Sequence, residues 1–114
     1  MTWYDKVISL HTAVTDAVSH VQRMKSDRYF VWQEDGANDF LANERHAERC
    51  VTGSTDLFTK QEFDPWKDAF EQSLDAAHGV AWSYNSLQYE EDTGFYHHEW
   101  LWEVTGWQES GSEA

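Results

Sequence analysis

The chain has 114 residues, enough for one domain with one modest core. It carries 21 acidic and 8 basic side chains, a formal net charge of −13, which argues against gripping nucleic-acid phosphates, because that requires clustered Lys and Arg. Seven tryptophans, five tyrosines and six phenylalanines make 16% of the residues aromatic, so the core or a contact surface must be built largely from rings.

Cys50 is the single cysteine. It rules out an intrachain disulfide and a thiolate metal cluster, which fits a reducing compartment. Met1–Leu10 holds no apolar run of signal-peptide length, and no window approaches a membrane span. The expectation is a soluble, intracellular protein with no membrane contact and no cofactor.

In chain order, Thr2 with Asp5 three residues on is a weak capping box. Apolar residues then recur at Tyr4, Val7, Ile8, Ala13, Val14, Ala17, Val18, Val21 and Met24, the spacing of an amphipathic helix ending near Ser26-Asp27. Arg28–Glu34 is aromatic and β-branched and reads as a strand. Asp35–Asp39 reads as a turn by composition. A second strand is expected over roughly Glu48–Thr59, interrupted near Gly53-Ser54, since glycine in a strand often marks a bulge or bend.

Asp64-Pro65 opens a second helix, with aspartate at the N-cap and proline at the first position. Trp66, Ala69, Phe70, Ser73, Leu74 and Ala77 share one face of it, and Gly79 follows its end. Two more strands follow. Ala81–Glu91 alternates with a phase shift between Tyr84 and Leu87. Phe95–Thr105 alternates cleanly, with Tyr96, His98, Trp100, Trp102 and Val104 on one face and His97, Glu99, Leu101, Glu103 and Thr105 on the other. Asp92-Thr93-Gly94 is the hairpin turn between them, with glycine placed for a left-handed backbone. The expected fold is α+β, in the order α-β-β-α-β-β: a mostly antiparallel four-stranded sheet with two helices packed on it. Residues 1–108 form the single domain and 109–114 a short mobile acidic tail.

His97 and His98 are strand neighbours and point to opposite faces, so one metal cannot easily take both. His98 sits in the aromatic register and reads as a packed histidine. Glu90, Glu91 and Asp92 read as a solvated hairpin tip. His98-Glu99-Trp100-Leu101-Trp102 begins like a zinc-protease helix, but lacks the second histidine and is strand-like. His46-Ala47-Glu48 suggests the His-x-Glu of zinc deaminases, but the paired cysteines are absent. Cys50 with His46 reads as a small core residue rather than a nucleophile and its base. There is no phosphate loop and no nucleophile elbow. A small hydrolase using Glu90, Asp92 or His98 is disfavoured, and the chain is read as a non-enzyme with no catalytic, cofactor or metal residues.

Trp66, Trp82, Trp100 and Trp102 fall at core spacings. Trp3, Trp32 and Trp107 are less well explained and are candidates for an exposed contact, either with a sugar or with protein.

The helix leading to Tyr29-Phe30-Val31-Trp32 forms one part of a longer pattern. It continues through Ala42-Asn43, Thr55-Asp56-Leu57-Phe58-Thr59, the helix opened by Asp64-Pro65, and the hairpin Tyr89-Glu90-Glu91-Asp92-Thr93-Gly94 leading to His98-Glu99-Trp100. Over residues 3–106 this resembles the tail terminator and tail completion (head-tail joining) proteins of long-tailed phages and prophages, the lambda-like tail terminator group. These are loose patterns with no chemical signature. The resemblance implies a virion structural protein, assembled in the host cytoplasm into a homo-oligomeric ring, typically a hexamer. The ring caps the tail tube and joins it to neck and head-completion proteins, with DNA passing through the channel without specific binding. Two alternatives are a head-closure or adaptor protein of the same neck connector and a monomeric tryptophan-rich ligand-binding module. On the ring reading, some of Asp35, Asp39, Glu90, Glu91 and Asp92, all in expected turns, project to the channel or the ring faces.

Overall fold

The computed structural model describes residues 1–38 and 50–106. Within them the order is α1 (Trp3–Thr12), β1 (Val18–His20), β2 (Arg28–Asn38), β3 (Cys50–Thr59), α2 (Pro65–Ala76), β4 (Val80–Glu90) and β5 (Phe95–Val104). The strands form one sheet in the order β1-β2-β3-β5-β4. β1 pairs with β2 in parallel, and every other pairing is antiparallel.

The sheet therefore has five strands and is mixed, in the order α-β-β-β-α-β-β. This corrects the expected α-β-β-α-β-β order and mostly antiparallel four-stranded sheet. The source of the error is the first helix. It carries the expected capping box, with Thr2 and Asp5 each accepting the other's backbone N–H at 3.1 Å. It stops at Thr12, however, and the apolar spacing beyond it belongs to a turn and a strand. Val14 and Val18 still pack against the core without being helical. Val18, Ser19 and His20 lie beside Phe30, Val31 and Trp32.

Both helices cover one face of the sheet. Leu10 of α1 and Phe70 and Leu74 of α2 pack on Phe30, Leu57 and Trp100. Val7 packs with Trp32, Val51, Trp102 and Val104 towards one end. Burying these rings supplies the main stabilising free energy. Alternation sends Tyr29, Val31 and Phe58 to the opposite face, where Ala17 and Phe95 pack against them. The Arg23 guanidinium covers this second cluster, 4.1 Å from the centre of the Phe58 ring.

Asp64 caps α2 as expected, accepting the N–H of Trp66 at 2.8 Å. Its carboxylate also takes both arms of the Arg28 guanidinium, which lies 3.7 Å over the Trp66 ring. Gly53 does not interrupt β3. The irregularity lies across from it in β2, between Glu34 and Gly36. Gly53 is needed because a Cβ there would meet the Gln33 carbonyl and the Trp102 indole.

Candidate assembly surface

Those candidate residues that the structure describes fall towards two opposite ends of the sheet. At one end, Glu34, Gly53, Trp102 and Trp82 form a row across four strands. At the other end the row is Arg28, Thr59, Tyr96 and Tyr89.

The β4–β5 turn closes the second end. The Glu90 carbonyl accepts the N–H groups of Thr93 at 3.2 Å and Gly94 at 2.7 Å, and Gly94 has the expected positive φ of 77°. Glu90, Glu91 and Asp92 are not equivalent. The Glu90 carboxylate accepts from the Thr93 hydroxyl at 2.9 Å and from Arg23 at 3.4 Å. Burial raises its pKa, but these two donors outweigh it and hold the carboxyl below its ordinary value. Glu91 and Asp92 are exposed. With Arg23, Glu90 and Thr93 they line an open recess of about 480 Å³. Lys60, just past the end of β3, donates to the Thr93 carbonyl and lies 4.3 Å from the Phe95 ring centre, bracing the turn.

His97 and His98 point to opposite faces of β5. His97 stacks on Phe58, with ring centres 4.3 Å apart, and its Nε2 lies 2.8 Å from Asp56. His98 is 3% exposed, stacks on Trp100 and meets the Tyr84 hydroxyl through Nδ1 at 2.8 Å. Burial, then Lys67, pushes its pKa below the ordinary value, against the nearby carboxylates. His98 is thus the packed aromatic-face histidine expected from the alternation. No group of three His, Cys, Asp or Glu among the described residues is arranged to hold a metal ion. No helix among them is long and apolar enough to cross a membrane.

At the other end, Asp35 is exposed beside the β2 irregularity. It lines an open cavity of about 410 Å³ with Thr52, Ser83, Leu101 and Glu103, backed by Trp82 and Trp102. Trp3 is half-buried, with its ring edge-on to Trp32 at 6.3 Å. Trp32 is 4% exposed, which corrects its reading as an exposed contact residue. It lies on the helix-covered face between the rings of His20 at 4.1 Å and Trp102 at 6.5 Å. Asp39, Trp107, His46, the Ala42-Asn43 loop and the 109–114 tail lie outside the described residues. Cys50 is buried.

The sequence reading missed an exposed apolar strip on β4, formed by Tyr84, Leu87 and Tyr89. The available signal was the phase shift between Tyr84 and Leu87. It is a bulge at Asn85, which the Tyr84–Trp100 and Ser86–Glu99 pairings bracket. The bulge sends Leu87 and Tyr89 to the helix side, beyond the reach of α2.

No family model and no curated protein matches the sequence. The fold is similar to that of a chain in a structure described as the virion of a native gene transfer agent (GTA) particle. That likeness covers 90% of this chain and 89% of the other, with a TM-score of 0.53 and 12% sequence identity.

Proposed function

We propose that the protein is a structural component of a phage-like virion, acting without catalysis. In the finer reading it forms a ring, a hexamer by resemblance, that caps the tail tube at the head-tail junction and joins it to the neck proteins. The observation that carries the reading is the near end-to-end fold likeness to a chain of a gene transfer agent virion. The sequence resemblance to tail terminators supports it from a separate direction. A head-closure or adaptor protein of the same connector is the neighbouring reading, separated by which end of the connector the ring docks on.

A cyclic ring needs a heterologous contact, one patch meeting a different patch on the next copy. Exposed apolar side chains at the chain start and on α1 (Met1, Tyr4, Ile8) offer one such patch. Six copies at −13 each repel unless their carboxylates reach solvent, a basic neighbour or an open channel. Asp35, which sits at the β2 irregularity inside the strand rather than in the expected turn, and Glu91 and Asp92, on the β4–β5 turn, are exposed and allow this.

The test is native mass spectrometry of the purified chain, alone and with tail tubes, followed by electron microscopy of tube ends. Ring-sized assemblies on capped tubes of uniform length are the expected result. A monomer that leaves tubes growing would overturn the terminator reading. A ring that binds head-side connector proteins but not tubes would move the protein to the neck.

A further inference from the structure

β4 is an outer strand of the sheet, so its outward N–H and C=O groups face no neighbouring strand among the described residues. Folded proteins usually blunt such edges with short strands, lysine, proline or a bulge. The opposite edge, β1, is blunted by its length of three residues. β4 runs for 11 residues with no proline and no lysine, and its one charged side chain is Glu90 at the end. The bulge at Asn85 leaves regular strand on both sides of it.

The side chains along this edge add two further properties. Leu87 is 51% exposed and Tyr89 54%, which leaves apolar side chains beside unpaired backbone. The surroundings are acidic. Glu103 and Glu99 stand opposite Ala81 and Ser86. Asp75 accepts from the Trp82 indole at 2.8 Å, and Glu71 and Glu62 act on the Tyr84 and Tyr96 hydroxyls. Glu90 closes the strand. Lys67 lies among them over the Tyr84 ring, already bridged to Glu71 at 3.1 Å.

We propose that β4 is a docking edge that takes an extended segment of a basic partner protein as a sixth strand. The partner backbone pairs with β4, its alternate apolar side chains lie on Tyr84, Leu87 and Tyr89, and its Lys or Arg side chains meet the carboxylate rim. The charge favours such a partner over a second copy of this chain, which would bring another −13 to the same acidic edge. The proposal deepens the assembly reading and rests on it only for where the partner comes from.

The experiment displays a library of random decapeptides to the full chain, then maps the best binder by NMR. Enrichment of peptides with alternating apolar residues and net positive charge is expected, with shifts confined to Val80–Glu90 and its flanks. The best peptide should lose about tenfold in affinity against Leu87→Lys and against Tyr89→Ser. It should also weaken with salt, and fail when its backbone amides are N-methylated. Near-ultraviolet circular dichroism of both variants checks that the fold is kept.

No enrichment, enrichment of acidic peptides, or undiminished binding of the N-methylated peptide would overturn the proposal. So would self-association of the free chain through the same β4 resonances, because the occupant would then be a second copy. The two readings fail separately. A chain that caps tubes but selects no strand-forming peptide loses only the docking edge. A chain that binds such peptides yet neither assembles nor caps loses only the ring.

Discussion

His11 Nε2 accepts the hydroxyl proton of Thr55 at 2.8 Å, joining α1 to β3 through a contact that is closed to solvent. The proton positions follow from the partners. His11 Nδ1 lies 2.8 Å from the Val7 carbonyl, which can only accept, so Nδ1 carries the hydrogen and Nε2 must accept. The same Thr55 oxygen accepts the Trp102 indole N–H at 2.9 Å. One hydroxyl therefore satisfies two buried groups.

Thr55→Val keeps the shape and removes the hydroxyl. His11 Nε2 and the Trp102 N–H are left buried without partners, at a cost of about 1–3 kcal/mol each. Urea unfolding should show a loss of about 2–6 kcal/mol on that basis. Thr55→Ser keeps the hydroxyl and should lose only about 1 kcal/mol, for one deleted methyl group. Equal stability of Thr55→Val and wild type would show that the network contributes nothing.

The same histidine sets a pH dependence. Burial pushes the His11 pKa down to about 4, partly offset by the Val7 carbonyl. Below about pH 6.5 the unfolded chain binds a proton that the folded chain refuses. Stability from this group is therefore complete above pH 6.5 and falls progressively down to about pH 4, by about 3 kcal/mol. Buried His98 acts in the same direction. Asp64 acts at lower pH. Burial raises its pKa, but hydrogen bonds from Arg28 and the Trp66 N–H bring it below the ordinary value, so its contribution is lost only below the usual carboxylate range. Urea midpoints at pH 7.5, 5.5 and 4.5 should fall for wild type and fall less for His11→Asn. Parallel slopes would rule out His11 as the source.

The parts of the fold written in local chemistry were legible. Thr2 with Asp5, Asp64-Pro65 and Gly94 each act within a few residues, and all three stand where expected. The β5 alternation is obeyed, with His98, Trp100, Trp102 and Val104 buried and Leu101 and Glu103 exposed. The extent of α1 was not legible. Val14, Ala17 and Val18 turn towards the cores whether the chain is helical or extended, so their spacing is compatible with both. What separates the two states is the pairing of Val18–His20 with Phe30–Trp32, a contact twelve residues away along the chain. Trp32 was misread for the same reason, since its cover comes from α1, β1 and β5. The exposed face of β4 depends on strand order, which no local pattern encodes.

The chain leaves β1 through Val21, which has a positive φ of 73° while donating its N–H to the Trp32 carbonyl at 2.9 Å. A β-branched residue is strained there, whereas asparagine tolerates the left-handed region. The Val21 side chain is exposed, so little packing is lost on replacing it. Val21→Asn should raise stability by about 1 kcal/mol, read as a higher urea midpoint at unchanged slope. A lower midpoint would mean that the side chain contributes more than its backbone costs.

Gly53→Ala tests the seat of Trp102. The added methyl meets backbone on one side and the Trp102 ring on the other, so neither can move away cheaply. A loss of about 1–3 kcal/mol is expected, with a changed tryptophan near-ultraviolet signal. An unchanged signal and midpoint would place Trp102 elsewhere.

The hairpin tip separates assembly from folding, because its three acids differ. Glu90 ties Arg23 and Thr93 into the structure, and Arg23 in turn covers Phe58. Reversing all three charges at once would mix a folding defect with a surface one. Glu91→Lys with Asp92→Lys leaves the Glu90 contacts in place and moves the formal charge of one copy from −13 to −9, two steps of +2. The double variant should unfold within about 0.5 kcal/mol of wild type, as exposed substitutions usually do. If the tip faces a ring surface or the channel, each copy in the assembly carries the change. Ring formation, tail joining or DNA passage should then fail while the monomer stays intact. Glu90→Lys alone should instead lower monomer stability, because it sets a cation against Arg23. The measurements are urea unfolding of the monomer, native mass spectrometry of the ring and infectivity of complemented particles, each read separately. Wild-type values in all three for the Glu91/Asp92 variant would make the tip a solvated turn, and the assembly contacts would then have to be sought on α1 and at the Asp35 end of the sheet.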